Sequence, residues 1–194
     1  SRKSPFSFVA YGYILSVFLN EIDKGISFGE IALHLAKKIH AEELVASIIA
    51  TKNLFLDHRR VPITETIHEL EKAITSGLES GDNEYASYAA HNMVYQFYIM
   101  GYPLADLAKK AETLELTIEK FQQDLTLKRL RLFHQSILNL IEENEHPDVL
   151  SGIIFDESEM DIADVSKSNE IYFQNLYLQK LHLALIFNLQ TNAT

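Results

Sequence analysis

The chain has no cysteine and no tryptophan, and only four prolines and seven glycines among its 194 residues. Without cysteine there is no disulfide framework, no thiolate nucleophile and no Cys-type zinc site. The prolines (Pro5, Pro62, Pro103 and Pro147) stand where apolar periodic stretches begin or end, so they punctuate helices without interrupting them. The glycines are scattered, which excludes a phosphate-cradling loop, and no G-x-S-x-G elbow occurs. Cations are also in deficit, with 17 Lys and Arg against 27 Asp and Glu, a formal net charge of −10. That balance counts against nucleic acid, whose non-specific affinity comes from cations neutralising phosphates, and against anionic membrane surfaces. No apolar run is long enough to span a bilayer and no signal peptide is visible, so the expected location is cytoplasmic.

Apolar residues make up 47% of the chain and charged residues 23%, which is globular and not disordered. Almost every segment repeats its apolar residues at helical spacing, and none alternates with hairpin turn chemistry, so the fold class is all-α. Helices are expected over 6–20, 42–57, 63–80, 82–101, 125–143 and 169–189, with another beginning at Pro103. A break at Asp23-Lys24-Gly25 is expected before a helix that Ser27 caps, Glu30 completing a capping box. The stretch 148–168 is the least regular. Its run from Asp156 to Asp161, with Asp164, fits a solvated loop capped by Asp156 or Ser158 better than a calcium loop, because Asp161 stands where an EF-hand needs glycine.

Two kinds of helix alternate. One kind carries a single apolar stripe, such as Phe28, Ile31, Leu35 and Ile39, or Ile63, Ile67, Leu70, Ile74 and Leu78, or Leu104, Leu107, Ala111 and Leu114. The other, best seen over 82–101, is apolar almost all round and must be buried on most sides. The striped helices read as the shorter kind and restart near Ile26, Ile63 and Pro103, 37 and 40 residues apart. A fixed period of this size marks a helix-pair solenoid, a right-handed superhelix of antiparallel hairpins close to the tetratricopeptide repeat of about 34 residues. The turns share a Gly-x-x-apolar signature (Gly25 to Phe28, Gly101 to Leu104), which the middle copy lacks, so the repeat is degenerate. The repeats fall at about 6–40, 42–80, 82–119 and 124–168, with an incomplete one at 169–194, all in one domain. An irregular helical bundle is the alternative, but it gives no reason for a period.

Few residues invite chemistry. Glu65/His68 and Glu143/His146 have the Glu-x-x-His spacing of di-iron bundles. The first pair points away from its helix's apolar stripe, and the second lies where a helix ends before Pro147, so neither is a metal centre. No catalytic residue, metal site or cofactor is expected. The polar side of the central helix is the better candidate. Tyr88, Asn92, Tyr95 and Gln96 share one face, and in a solenoid that face lines the concave surface. Asn53 and Asp57 would join it from the preceding buried helix, and Arg131, Gln135 and Asn139 from the following one. Tyrosines and amides suit a peptide backbone, yet the same groups could pair with one another inside the fold; both readings stay open.

The segments FGEIALHLAKK, LEKAITSGLESGDNEYASYAAHN, FDESEM and YLQKLHLALIF resemble the helical-repeat region of very large bacterial signalling proteins. Those proteins carry a serine/threonine kinase-like domain and a STAND-type ATPase before the repeats, and often a GAF domain and a histidine kinase after them. The resemblance implies an internal segment, without kinase or ATPase active sites, that transmits signals or holds partners as a scaffold. A start at Ser1 instead of Met agrees with a fragment. The expected partners are a protein or peptide, or other domains of the same chain.

The last helix sharpens this. It has no striped partner after it, so Ile171, Leu176, Leu178, Leu181, Leu185, Ile186 and Leu189 are expected to need a cover. A second copy of the helix, giving a homodimer, or an upstream groove would supply one. Three function classes follow: a non-catalytic interaction or signalling scaffold, a small-ligand sensor with a pocket beneath Tyr88 and Asn92, and an enzyme on a helical fold. The motif content supports the first.

Overall fold

In the computed structural model the described residues are 2–160 and 170–189. Among them are eight α-helices and no strand. They run α1 Ser4–Val17, α2 Ile22–Lys38, α3 Val45–Phe55, α4 Ile63–Ser80, α5 Asn83–Ile99, α6 Leu104–Lys120, α7 Asp124–Ile141 and α8 Glu170–Ile186. The chain divides into two compact units, 1–96 and 97–194, and the division falls within α5. The fold is all-α. The parts of the expected repeats at 161–169 and 190–194 lie outside the described residues.

In the first unit α1 packs on both α2 and α3, and α3 on α4. Val9, Ala32, Ala36, Ile48 and Leu56 form a fully buried cluster there, walled by Phe6, Phe8, Ile26, Leu33, Leu44 and Phe55. Helix α3 is buried nearly all round, from Ala46 to Ala50 and at Lys52 and Asn53, as an unstriped helix must be. In the second unit α7 packs on α6 and on α8.

Small residues set how close the helices come. A Cβ on Gly12 would stand 2.6 Å from the Gly25 carbonyl oxygen, and one on Gly25 equally close to the Gly12 carbonyl. Backbone therefore meets backbone where α1 crosses α2. This corrects the expected break at Asp23-Lys24-Gly25. Gly25 lies inside a helix that starts at Ile22, and the chain turns earlier, at Asn20, whose φ of 55° is left-handed. Nor do Ser27 and Glu30 form a capping box: the Ser27 hydroxyl donates to the Asp23 carbonyl within the helix, and Glu30 pairs with Lys52. Gly25 thus serves a crossing, and only Gly101 of the two expected turn glycines occupies a turn, at φ 70°.

Helix ends follow a common plan. After α2, α5 and α8 the residues His40, Gly101 and Asn188 turn left-handed, and paired backbone bonds close each end. At α2, His40 N–H donates to the Lys37 carbonyl and Ala41 N–H to Ala36, the Schellman pattern that satisfies orphan carbonyls. The striped helices α2, α4 and α6 start at Ile22, Ile63 and Leu104, 41 residues apart each time. The period is thus more even than the sequence suggests, and longer than the tetratricopeptide unit of about 34. The striped helices are not the shorter kind: α4 has 18 residues and α3 has 11.

Two substitutions separate the roles of glycine. Gly12→Ala is expected to cost about 1–3 kcal/mol, because a methyl has no space at the crossing. Gly81→Ala faces open space but a φ of 81°, so the cost is about 1 kcal/mol of backbone strain. Urea unfolding midpoints at unchanged slope check the order.

Candidate functional site

The nine candidate groove residues divide between the units. Six (Asn53, Asp57, Tyr88, Asn92, Tyr95 and Gln96) lie in the first, and three (Arg131, Gln135 and Asn139) in the second. Asn53, Asp57, Asn92, Gln96, Gln135 and Asn139 are buried, while Tyr88, Tyr95 and Arg131 are half-buried.

Asn53 and Gln96 face each other. Gln96 Nε2 donates to Asn53 Oδ1 at 2.6 Å, and Asn53 Nδ2 donates to the Thr66 carbonyl at 2.8 Å. The Thr66 hydroxyl closes the circuit at 2.9 Å from Gln96 Oε1, sharing its proton with the Ile63 carbonyl at 2.8 Å. Because a carbonyl only accepts, the Thr66 oxygen fixes which end of the Asn53 amide faces it, and that choice fixes Gln96. These two amides are an internal network joining α3, α4 and the part of α5 within the first unit. Asp57 is engaged too: both carboxylate oxygens accept from Lys52 Nζ at 2.9 Å, and Glu30 Oε1 lies 2.7 Å from the same nitrogen. Burial works against the Lys52 charge, but the hydrogen bonds and charges of Asp57 and Glu30 outweigh it and hold its pKa above the ordinary value. The Tyr88 hydroxyl donates to Glu84 at 2.8 Å, and its ring meets Tyr85 edge to face.

In the second unit Asn139 Nδ2 donates to the Pro147 and Val149 carbonyls, at 3.0 and 2.8 Å, and Asn139 Oδ1 accepts from Gln135 Nε2 at 2.9 Å. The Gln135 amide lies where a Cβ on Gly152 would stand, so the loop after α7 is clamped against the helix. Arg131 reaches Glu119 at 3.2 Å and Glu115 at 3.9 Å, acids of its own chain. Sequence reasoning missed the buried contact of Glu115 Oε1 with His134 Nδ1 at 2.7 Å. Its signal was present, since Glu115 lies four residues after Ala111 and three before Ile118, on the buried stripe of α6.

The acidic loop is ordered as far as it is described. Asp156 caps a 3-10 turn over Glu157–Glu159, accepting from the Ser158 N–H at 2.8 Å, as the sequence indicated. The Ser158 side chain, the Ser158 N–H and the Ser151 hydroxyl hold the Asp156 carboxyl below its ordinary pKa. Lys180 of α8 pairs with Glu157. Asp161 and Asp164 lie outside the described residues. Among the described residues no three His, Cys, Asp or Glu side chains gather to hold a metal, and Glu65, His68, Glu143 and His146 are exposed.

One cavity of about 450 Å³ lies within the second unit, lined by Tyr98, Ile99, Gly101, Leu140, His182 and Ile186. It does not lie beneath Tyr88 and Asn92, where the alternative of a small-ligand sensor would put one. Its polar feature is a 2.9 Å hydrogen bond between the Tyr98 hydroxyl and His182 Nδ1. Burial pushes the Tyr98 phenol up to about 12, and Tyr172 likewise.

Large apolar side chains are exposed in rows on two helices. On α1 they are Tyr11, Ile14 and Phe18, the last just past the helix end at 69% exposure. On α8 they are Tyr177, Leu178, Leu181 and Leu185, the last at 70%. Leu176, expected to need a cover, is buried, as are Leu183 and Ala184 on the inner side of α8. The side chain of Ile171 lies outside the described residues. Comparison with protein-family models, curated proteins and solved structures gives no match.

Lys52→Met should cost about 3–5 kcal/mol, because it strands the Asp57 carboxylate, while Lys52→Met with Asp57→Leu should recover most of the loss. Chemical denaturation of the two variants checks this. Tyr98 and Tyr172 keep their protons to about 12 in the folded chain, whereas an unfolded tyrosine ionises near 10. The folded state therefore holds more protons between about pH 10 and 12, and stability falls as pH rises through that window. The raised Lys52 acts in the same direction. Tyrosinate absorbance should show two of the nine tyrosines titrating near 12 and lose one of them in Tyr98→Phe.

Proposed function

We propose that this all-helical domain is a non-catalytic scaffold for protein interaction or signal transmission, with exposed apolar helix stripes as its docking surfaces. The observation that carries this function is the division between its polar and apolar groups. The amides and acids that suit a ligand are largely engaged inside the fold, whereas leucines and aromatics stand exposed at helical spacing on α1 and α8. Exposed apolar rows of this kind mark sites where another protein packs. The 41-residue spacing and the contacts of α1 with both α2 and α3 support a helix-pair solenoid in the first unit, degenerate and tetratricopeptide-like. The resemblance to the repeat region of large kinase- and ATPase-containing signalling proteins agrees with that role.

A second function has an observation of its own. The cavity at Tyr98 and His182 has the size of a small-ligand site, apolar walls and a polar pair, so a sensor domain would bind its effector there.

Chemical cross-linking in the producing cell, with the wild type compared against Phe18→Asp and Leu181→Asp, separates the two. Under the scaffold function, specific protein adducts disappear in at least one stripe variant while the folded content is unchanged. Adducts indifferent to both variants would contradict it. Stabilisation by a small molecule, lost in His182→Phe, would favour the sensor.

A further inference from the structure

The walls of the cavity in the second unit say what kind of molecule suits it. None of its six lining residues is Lys, Arg, Asp or Glu. Ile99, at the end of α5, and Ile186, at the end of α8, line it while 56% and 51% exposed, so they stand at its mouth, and Leu140 of α7 adds a third aliphatic wall. A Cβ on Gly101 would meet nothing within 4 Å, so the space on that side is open.

The polar pair carries the rest. The rings of Tyr98 and His182 meet edge to face with centroids 5.5 Å apart, and the phenol oxygen lies 2.9 Å from Nδ1. Burial keeps the proton on the Tyr98 phenol up to about 12, so the phenol has a hydrogen to give. If it gives that hydrogen to Nδ1, the imidazole carries its own on Nε2; if Nδ1–H donates to the phenol oxygen, the phenol hydrogen is left over. In either tautomer the pair holds one hydrogen more than its mutual bond uses. Among the described residues neither side chain has a second hydrogen-bond partner.

We propose that this cavity binds an uncharged, chiefly aliphatic molecule with one hydrogen-bond-accepting oxygen, such as a medium-chain ketone or lactone, and that the oxygen takes the surplus hydrogen of the Tyr98–His182 pair. The inference rests on the sensor reading of this cavity and adds the chemical class of the effector. At about 450 Å³ the space falls within the range of about 300–1,000 Å³ that holds small ligands. Hydrocarbon entering it takes the isoleucines and Leu140 out of water, which is favourable. A carboxylate would lose its hydration opposite no Lys or Arg, in a chain of net charge −10. An ammonium would find no carboxylate in the wall.

The test titrates the isotope-labelled chain with three probes of one length, 2-octanone, octanoate and octylammonium, and follows the backbone amides by NMR. With 2-octanone the amides of Ile99, Gly101 and Ile186 should shift and saturate, and both ions should bind there at least about tenfold more weakly. Tyr98→Phe and His182→Phe should each weaken the ketone several-fold, up to about tenfold, while the amide spectrum outside the cavity stays that of the folded chain. If no probe moves these amides, the sensor reading and the proposal fall together. If octanoate or octylammonium saturates them at least as tightly as the ketone, the site stands and the proposed class is overturned. Ketone affinity unchanged in both variants, or shifts that scatter over the surface without saturating, also overturns the proposal.

Discussion

A buried ring of hydrogen bonds sets the first unit. Thr66 begins and ends it: its carbonyl receives the Asn53 amide, Asn53 receives Gln96, and Gln96 receives the Thr66 hydroxyl. Each group has one orientation that works, so three helices are held in one register. An apolar contact could slide by a fraction of a turn at small cost, whereas a slip here would leave a buried amide without a partner, worth about 1–3 kcal/mol. The Lys52–Asp57 pair, beside Asn53 at the C-terminal end of α3, adds a second fixed point, also out of water. The buried polar groups of α3, α4 and α5 are therefore what align these three helices.

Close approach supplies the complementary constraint. Gly12 and Gly25 let α1 and α2 meet backbone to backbone, and Gly77 lets α4 approach Ala46 and Ala86, where a Cβ would come within 2.7 Å of Ala86. Small residues at crossings bring the hydrogen-bonding groups within reach, and the ring then fixes the angle. The polar groups of α3, α4 and α5 turn inward, while α1 and α8 expose apolar rows.

Much of this was legible in the sequence, and the failures have physical causes. Stripe periodicity located α4 to the residue and every other helix except α2 within a few. The start of α2 escapes it, because a glycine that ends a helix and one that, like Gly25, admits a neighbouring backbone look alike until the neighbour is known. For the same reason the Asn53, Tyr88, Asn92, Gln96 set allowed a groove or an internal network. Helical angles tell which residues share a face, and they do not tell what stands opposite. Glu115 could have been found, as an acid on a buried stripe implies a partner, but its identity as His134 depends on the pairing of α6 with α7. The cavity at Tyr98 and His182 joins residues 84 apart in sequence and left no local trace.

The central claim is that the amides Asn53 and Gln96, which a groove or an internal network could equally have used, are a structural lock. A double-mutant cycle on Asn53→Ala and Gln96→Ala, read by urea unfolding, measures it directly. Coupled through the ring, the two changes should be non-additive by about 1–3 kcal/mol, the double variant losing less than the sum of the singles. Additivity within about 0.5 kcal/mol, with each single change nearly silent, would show a face that the fold does not use and would contradict the account.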